Sequence, residues 1–422
     1  MKRFFKFFIC SIFIVTLALC IYAYSNRYKL DIIKEGIESS LLLKGCEDAT
    51  AITGGDDLDV YISFKNEIVR IDKNTKINKV YKDSSFNIQD IAYKDRNLYV
   101  LSDGNLILID SNENIKVLRT DLPYGENVYR NLLVNGDSIL ISIGSKTNSG
   151  IAKEGEEKDI SPINLILNGV NYGEKNTGAF KDYAVKSKKG EKILGEEIGT
   201  ASIFEFNTKN EEFSLFASGI KNVKGYDVNS KGEIIATVGG IEEGGERGVI
   251  RDTDYIYKIA KGLWYGWPDF SGGDPISSQR FTNDKRVKPL IKNPPEKIGQ
   301  TPSYQHNSVN SLGKLVVDRN GSLVSKDSII FSDYKTNTIY LLDDKKVLSK
   351  ILKMEDDSYI KDMMFLGDEC IILDSSKGCI YKLSKNEKII GVNIPYGVVA
   401  VSLVIMLALL IILFNKIKRK NI

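Results

Sequence analysis

The chain has 422 residues, 42% of them hydrophobic and 27% charged, so it holds enough apolar material for one large core or several small ones. Seven of its 58 Lys and Arg lie in residues 1–24 and 392–422, which carry no Asp or Glu. The remaining 51 face 55 acidic residues, a net of −4, and this excludes a nucleic-acid footprint on the body of the protein.

Residues 7–24 are an apolar run preceded by Lys2, Arg3 and Lys6. The run has the place and flank of a secretory signal, with Ala23-Tyr24-Ser25 as a small-x-small cleavage site, or of a retained signal-anchor helix; both readings stand. Residues 395–414 form a second apolar run, followed by Lys416, Lys418, Arg419 and Lys420. About 20 apolar residues span a bilayer, so this run is expected to be a transmembrane helix. Basic flanks stay on the cytoplasmic side. Residues 415–422 are therefore a cytoplasmic tail, and the expectation is a cell-membrane protein with its main domain extracellular.

Residues 25–44 carry a short amphipathic pattern (Leu30, Ile32, Ile33, Ile37, Leu41–Leu43) that reads as a juxtamembrane segment, helical by its spacing. The body, 45–390, has a different texture. Short runs of β-branched and aromatic residues alternate with Gly, Asn, Asp and Ser turns, the mark of many short strands. VYISFKNEIVRID (60–72), LYVLSDGNLILID (98–110), IIFSDYKTNTIYLLD (329–343) and IILDSSKGCIYKL (371–383) repeat one plan of strand, polar turn and strand. With ILISIGS (139–145) and IIATVGG (234–240) they mark six units, starting at Val60, Leu98, Ile139, Ile234, Ile330 and Ile371. Gaps of 38, 41, 95, 96 and 41 residues match a blade period of about 40–45, two of them lengthened by insertions. A hairpin unit cannot bury its apolar face alone, so the units must stack radially. The fold class expected is all-β, a six-bladed β-propeller flanked by N- and C-terminal transmembrane helices.

Cys46 opens the body, while Cys370 and Cys379 close it. An exported location permits a bridge from Cys46 to either, and three unpaired thiols is the other reading. The insertion at 150–200 is rich in Gly and Lys and reads as a solvated loop. The second, 240–310, holds both tryptophans of the chain in GLWYGWPDFSGGDP (262–275). Trp264, Tyr265 and Trp267 offer flat faces for a sugar ring or planar cofactor, or else pack the loop against the propeller. Asp252 and Asp254, with Glu242, Glu243 and Glu246, supply hard oxygens suited to Ca²⁺, or form a solvated acidic loop. His306, the only histidine, cannot build a multi-histidine metal site, but it can act as a lone general base.

DYIYKIAKGLWYGWP (254–268) resembles the Asp-Glu-Leu-Asn…Gly…Tyr-Gly-Trp-Pro signature of glucose/sorbosone dehydrogenases, six-bladed propellers that use pyrroloquinoline quinone (PQQ) and Ca²⁺. YRNLLVNGDSILISIGS (129–145), FASGIKNVKGYDVNSKGEI (216–234) and HNSVNSLG (306–313) resemble further family segments in the same order. The resemblance spans about residues 50–385 and implies oxidation of a sugar or polyol. It places Arg130, Lys221 and Asn222 at the cofactor and Trp264, Tyr265 and Trp267 at the substrate; of the two candidate metal ligands, Asp252 and Asp254, only Asp254 matches the family's signature. The family's proton-accepting His has no counterpart among Glu126, Asn127, Val128 and Tyr129, so His306 would have to serve as the catalytic base. Lys221 stands where the family has Arg and lacks the planar fork that clamps carboxylates. Tyr255 and Tyr257 replace a Glu and an Asn. The competing reading is a catalytically silent propeller that binds a glycan, peptide or cell-envelope partner.

Overall fold

Six sheets carry the fold, and the reason is visible in their second strands. In the computed structural model, which describes residues 30–386 except 126–127, 282–286 and 300, together with Thr16 and Tyr28, these strands are the most deeply buried. Every residue of Ser138–Ile143, Ile234–Val238 and Ser328–Asp333 is buried. A strand covered on both faces reads as a continuous apolar run rather than an alternating one. The six repeat markers all fall on these second strands, one per blade. The signal or anchor segment (apart from Thr16), the C-terminal apolar run and the basic tail lie outside the described residues. No helix among the described residues is long and apolar enough to cross a membrane.

Blade 1 comprises Ala51–Gly54, Val60–Ser63, Glu67–Ile71 and Ile77–Lys82, and blade 2 comprises Ile88–Lys94, Asn97–Ser102, Asn105–Ile109 and Ile115–Arg119. Blade 3 is Arg130–Asn135, Ser138–Ile143, Ser202–Asn207 and Phe213–Ser218; blade 4 is Val223–Val228, Ile234–Val238, Tyr255–Ile259 and Tyr304–Gln305. Blade 5 is Leu312–Asp318, Ser328–Asp333, Thr338–Leu342 and Leu348–Lys353. Blade 6 takes Ile360–Leu366, Glu369–Asp374 and Cys379–Lys385 from the end of the body and its outermost strand, Ile37–Lys44, from the beginning.

That last pairing corrects the reading of residues 25–44. Ile37–Lys44 runs antiparallel to Cys379–Lys385, from Ile37↔Lys385 to Lys44↔Cys379, and Asp31–Ile32 adds to the edge of blade 5. The propeller unit therefore spans 31–385 rather than 45–390. A short apolar run cannot be assigned to helix or strand by periodicity alone. Here a bulge between Leu41 and Leu43 also breaks the two-residue alternation. The long-range partner decides: without this strand blade 6 would have three strands, and the outer side of Cys379–Lys385 would lose its hydrogen-bond partners.

The inner strands surround a cavity of about 590 Å³ on the propeller axis. Carboxylates on alternate blades stitch the ring. Asp90 accepts from Leu132 N at 2.6 Å, Asp227 from Val317 N at 2.9 Å and Asp362 from Ile52 N at 2.9 Å. Each bond joins one inner strand to the next blade's, so backbone groups left free on the inner edges are satisfied.

The insertions at 144–201, 239–254 and 260–303 fold over the face on which the inner strands begin, called the entry face below. They share a separate core that includes Leu167, Phe180, Ile241, Trp264, Trp267 and Leu290. Arg247 joins them at its centre, with Nη2 2.6 Å from Asp269 Oδ1 and Nη1 donating to the carbonyls of Ser149 and Pro268. The 150–200 segment is thus partly core and not wholly a solvated loop. Cys46, Cys370 and Cys379 are buried free thiols. Cys370 pairs with Leu383 at the opposite end of blade 6 from Cys379, while Cys46 N donates to Gly378 O at 3.0 Å beside Cys379.

Candidate functional site

His306 follows the last strand of blade 4, and its N–H donates to Asp254 O at 2.9 Å. Its ring is buried, and both nitrogens are engaged. Nδ1 lies 3.1 Å from the Tyr304 hydroxyl; Nε2 lies 3.2 Å from Ser311 Oγ and 3.4 Å from Asp333 Oδ2. Burial raises the Asp333 carboxyl, but hydrogen bonds from His306, Ser311 and Thr336 outweigh it and hold Asp333 well below the usual carboxylate range. This cluster ties blade 4 to blade 5. At 6% exposure the His306 ring is a buried tie between the two blades rather than a group open to solvent.

Asp254 is fully buried and saturated. Oδ1 accepts from Gly240 N at 3.0 Å and Asn310 N at 3.1 Å, and Oδ2 from Ser311 N at 2.8 Å and Leu312 N at 2.9 Å. Asp252 accepts from Ile241 N, Thr253 N and the Tyr255 hydroxyl, the last at 2.6 Å. Burial raises the Asp252 carboxyl above its ordinary value. No cluster of His, Cys, Asp and Glu among the described residues is arranged to hold a metal ion. The two aspartates brace loops, and the donor set does not fit Ca²⁺.

The aromatic residues also serve packing. Trp264, Tyr265 and Trp267 are all buried. Trp264 meets Phe270 edge-on, Trp267 meets Phe180 edge-on, and the Tyr265 hydroxyl accepts from Ala260 N while donating to Lys258 O. Gly219, at φ +69°, lets the Trp264 ring approach: a Cβ there would stand 2.4 Å from Trp264 Nε1. The three rings join the insertions to blades 3 and 4; Trp264 also lines a cavity of about 350 Å³ with Leu263, Pro295 and Lys297, and Tyr265 and Trp267 line a small one of about 20 Å³ beside Lys221. Trp267 leads into a cis peptide bond with Pro268.

Apart from the axial cavity, the entry face carries a group of cations and tyrosines. Lys221 is buried; Nζ donates to Gly240 O at 2.7 Å and Asn148 Oδ1 at 2.8 Å, and burial lowers its pKa to about 8. Asn222 Oδ1 lies against Gly144, where a Cβ would stand in its way, and has no partner. Beside it Ser145 Oγ is also unpaired, although Ser145 N donates to Lys221 O. Arg130 opens the inner strand of blade 3 and is buried with none of its three guanidinium nitrogens hydrogen-bonded. Lys224 Nζ sits 5.1 Å from the centre of the Tyr129 ring. Tyr124, Tyr129 and Tyr359 are the exposed aromatic residues of this face. The sequence reading missed Lys224, Tyr129 and Tyr359. The one local signal was a lysine next to the first residue of the strand Val223–Val228.

The fold defines a class by architecture alone: a six-bladed β-propeller of the kind seen in PQQ-dependent sugar dehydrogenases. No protein-family model and no curated protein matches the chain. Among solved structures it is similar to the AA12 carbohydrate-active enzyme of Trichoderma reesei, with a TM-score of 0.59 and 13% identity over 85% of this chain and 98% of that one. It is also similar to the holo PQQ domain of pyranose dehydrogenase from Coprinopsis cinerea, at 0.57 and 11% over the same shares. The PQQ-bound aldose sugar dehydrogenase of Streptomyces coelicolor follows at 0.53 and 12%, over 82% and 98%. At such identities the likeness establishes the fold.

Proposed function

We propose that this chain is a membrane-held, extracellular binding propeller that recognises a glycan on its entry face and does not run the sugar-dehydrogenase reaction. The observation that carries this reading is the burial of the His306 ring, 6% exposed, in a cluster with Tyr304, Ser311 and Asp333 that ties blade 4 to blade 5. Loss of a general base alone costs about 10²–10⁴ in rate. The saturated Asp252 and Asp254 carboxylates support the same reading, since PQQ chemistry in the resembling family also draws on Ca²⁺. PQQ itself carries three carboxylates, and the three unpaired donor nitrogens of Arg130 suit such a ligand, whereas the unpaired Asn222 atom is an acceptor and Lys221 is already committed. Retention of the anionic cofactor as a bound ligand is therefore compatible with loss of turnover. The tether rests on the two apolar ends with their basic cytoplasmic flanks.

The test is turnover of the detergent-solubilised full chain supplied with PQQ and Ca²⁺, with an artificial electron acceptor and a panel of aldoses and polyols. The expected result is no acceptor reduction above a heat-denatured control. Sugar-dependent reduction that requires both PQQ and Ca²⁺ would return the protein to the dehydrogenases.

A further inference from the structure

Arg130 is 6% exposed, yet Nε, Nη1 and Nη2 all lack a hydrogen-bond partner. A buried guanidinium carries five donors and cannot shed its charge, so leaving it unpaired is among the costliest arrangements a fold can hold. Its surroundings do not relieve it. Asp103 acts on it electrostatically, but no carboxylate of the described residues lies within ion-pair distance, and Asp103 Oδ1 already accepts from Asn87 Nδ2 at 3.1 Å. The Tyr124 ring centre lies 5.8 Å from the guanidinium carbon, and this ring is 53% exposed, with solvent on its far side. By contrast Arg247, the other deeply buried arginine, has four hydrogen bonds, from two of its nitrogens. The chain can therefore satisfy a buried arginine where one is structural.

We infer that Arg130 is the anchor of an anion site on the entry face, capped by Tyr124, and that its ligand is the carboxylate of an acidic sugar. The carboxylate matches the planar fork of the guanidinium in bidentate geometry. The sugar follows from the glycan-binding reading above, on which this inference rests. The exposed Tyr124 ring offers a stacking face next to the charge. Arg130 also sits at the first residue of an inner strand, where the rim of the channel is fixed by pairing of Arg130 with Ile143. A ligand reaching it would displace the tyrosine cap and leave the propeller frame unchanged.

The test compares thermal unfolding of the full chain in detergent, wild type against Arg130→Met and Arg130→Lys, with sodium glucuronate, glucose or inorganic phosphate at matched ionic strength. Glucuronate is expected to raise the wild-type midpoint by several degrees, glucose to leave it unchanged, and Arg130→Met to abolish the shift. Without ligand, Arg130→Met should melt no lower than wild type, because it removes an unpaired buried charge and keeps the bulk. Arg130→Lys should retain only part of the shift, having lost the fork. A phosphate shift as large as the glucuronate shift would replace the acidic sugar with a phosphate-bearing ligand and overturn the assignment. A midpoint several degrees lower in Arg130→Met, with the glucuronate shift intact, would make Arg130 structural and overturn the anchor while sparing the binding reading. Dehydrogenase turnover, in contrast, would sink the binding reading and leave the anchor measurement standing.

Discussion

Lys314 Nζ lies 3.4 Å from Asp362 Oδ1 inside the channel, and the same ammonium donates to Asn131 Oδ1 at 2.7 Å. One side chain of blade 5 thereby touches blades 3 and 6. Burial works against its charge, but Asp362 and Asp90 outweigh burial and raise its pKa. Asp90 is pushed up to about 7 by burial, with Lys314 opposing the rise and Asp362 adding to it.

The channel cluster sets a pH dependence. Asp90 binds its proton more tightly folded than unfolded, so between about pH 4 and pH 7 the folded state holds more protons and stability falls as pH rises. Denaturant unfolding should give a lower midpoint at pH 8 than at pH 5.5, and Asp90→Asn should flatten that slope. Equal slopes in the two proteins would remove Asp90 from the account. Lys314→Met should cost about 3–5 kcal/mol at neutral pH, because two buried carboxylates lose their counter-charge.

His306 is expected to matter for stability. Removing a buried side chain that hydrogen-bonds on two sides leaves its partners unsatisfied at about 1–3 kcal/mol, and His306→Ala should show a loss of that order in chemical denaturation. Asp333 has a depressed folded pKa, so its contribution is present above about pH 4 and is lost as pH falls below that. Without His306 the carboxyl loses part of that depression, and the acid-unfolding midpoint should move to higher pH. Unchanged acid unfolding in His306→Ala would show that the Asp333 pairing contributes nothing.

The seam strand can be tested by where the chain is cut. A fragment covering 45–390 lacks Ile37–Lys44 and leaves Cys379–Lys385 as an uncovered edge. It should unfold at a lower denaturant concentration than a fragment covering 30–386 and associate through that edge, as read by light scattering. Equal stability and monomeric behaviour of the two fragments would mean the seam strand is dispensable.

Much of the scaffold was legible beforehand because a propeller repeats itself. The second strands buried on both faces read as apolar runs at a fixed spacing, and a polar turn follows each, so Leu98 or Ile371 announced its blade without any tertiary information. The ends of the ring carried no such signal. Ile37–Lys44 pairs with residues more than 330 positions away, and nothing local distinguishes that strand from an amphipathic helix.

The candidate site was the less legible part. Residue types placed His306, Asp254, Trp264 and Trp267 in a functional list, because each carries chemistry that enzymes use. Whether that chemistry is free depends on which groups reach it from elsewhere in the chain. Four backbone N–H groups close on Asp254, Asp333 closes on His306, and the insertions close on the tryptophans. Arg130 shows the opposite outcome, an ordinary arginine in sequence left without a partner by folding. The sequence by itself determined blade number, strand plan and the apolar ends, since these follow from local hydrophobic pattern. Only the tertiary structure decided which polar groups are spent on one another and which remain for a ligand, because hydrogen-bond satisfaction is settled by distant neighbours.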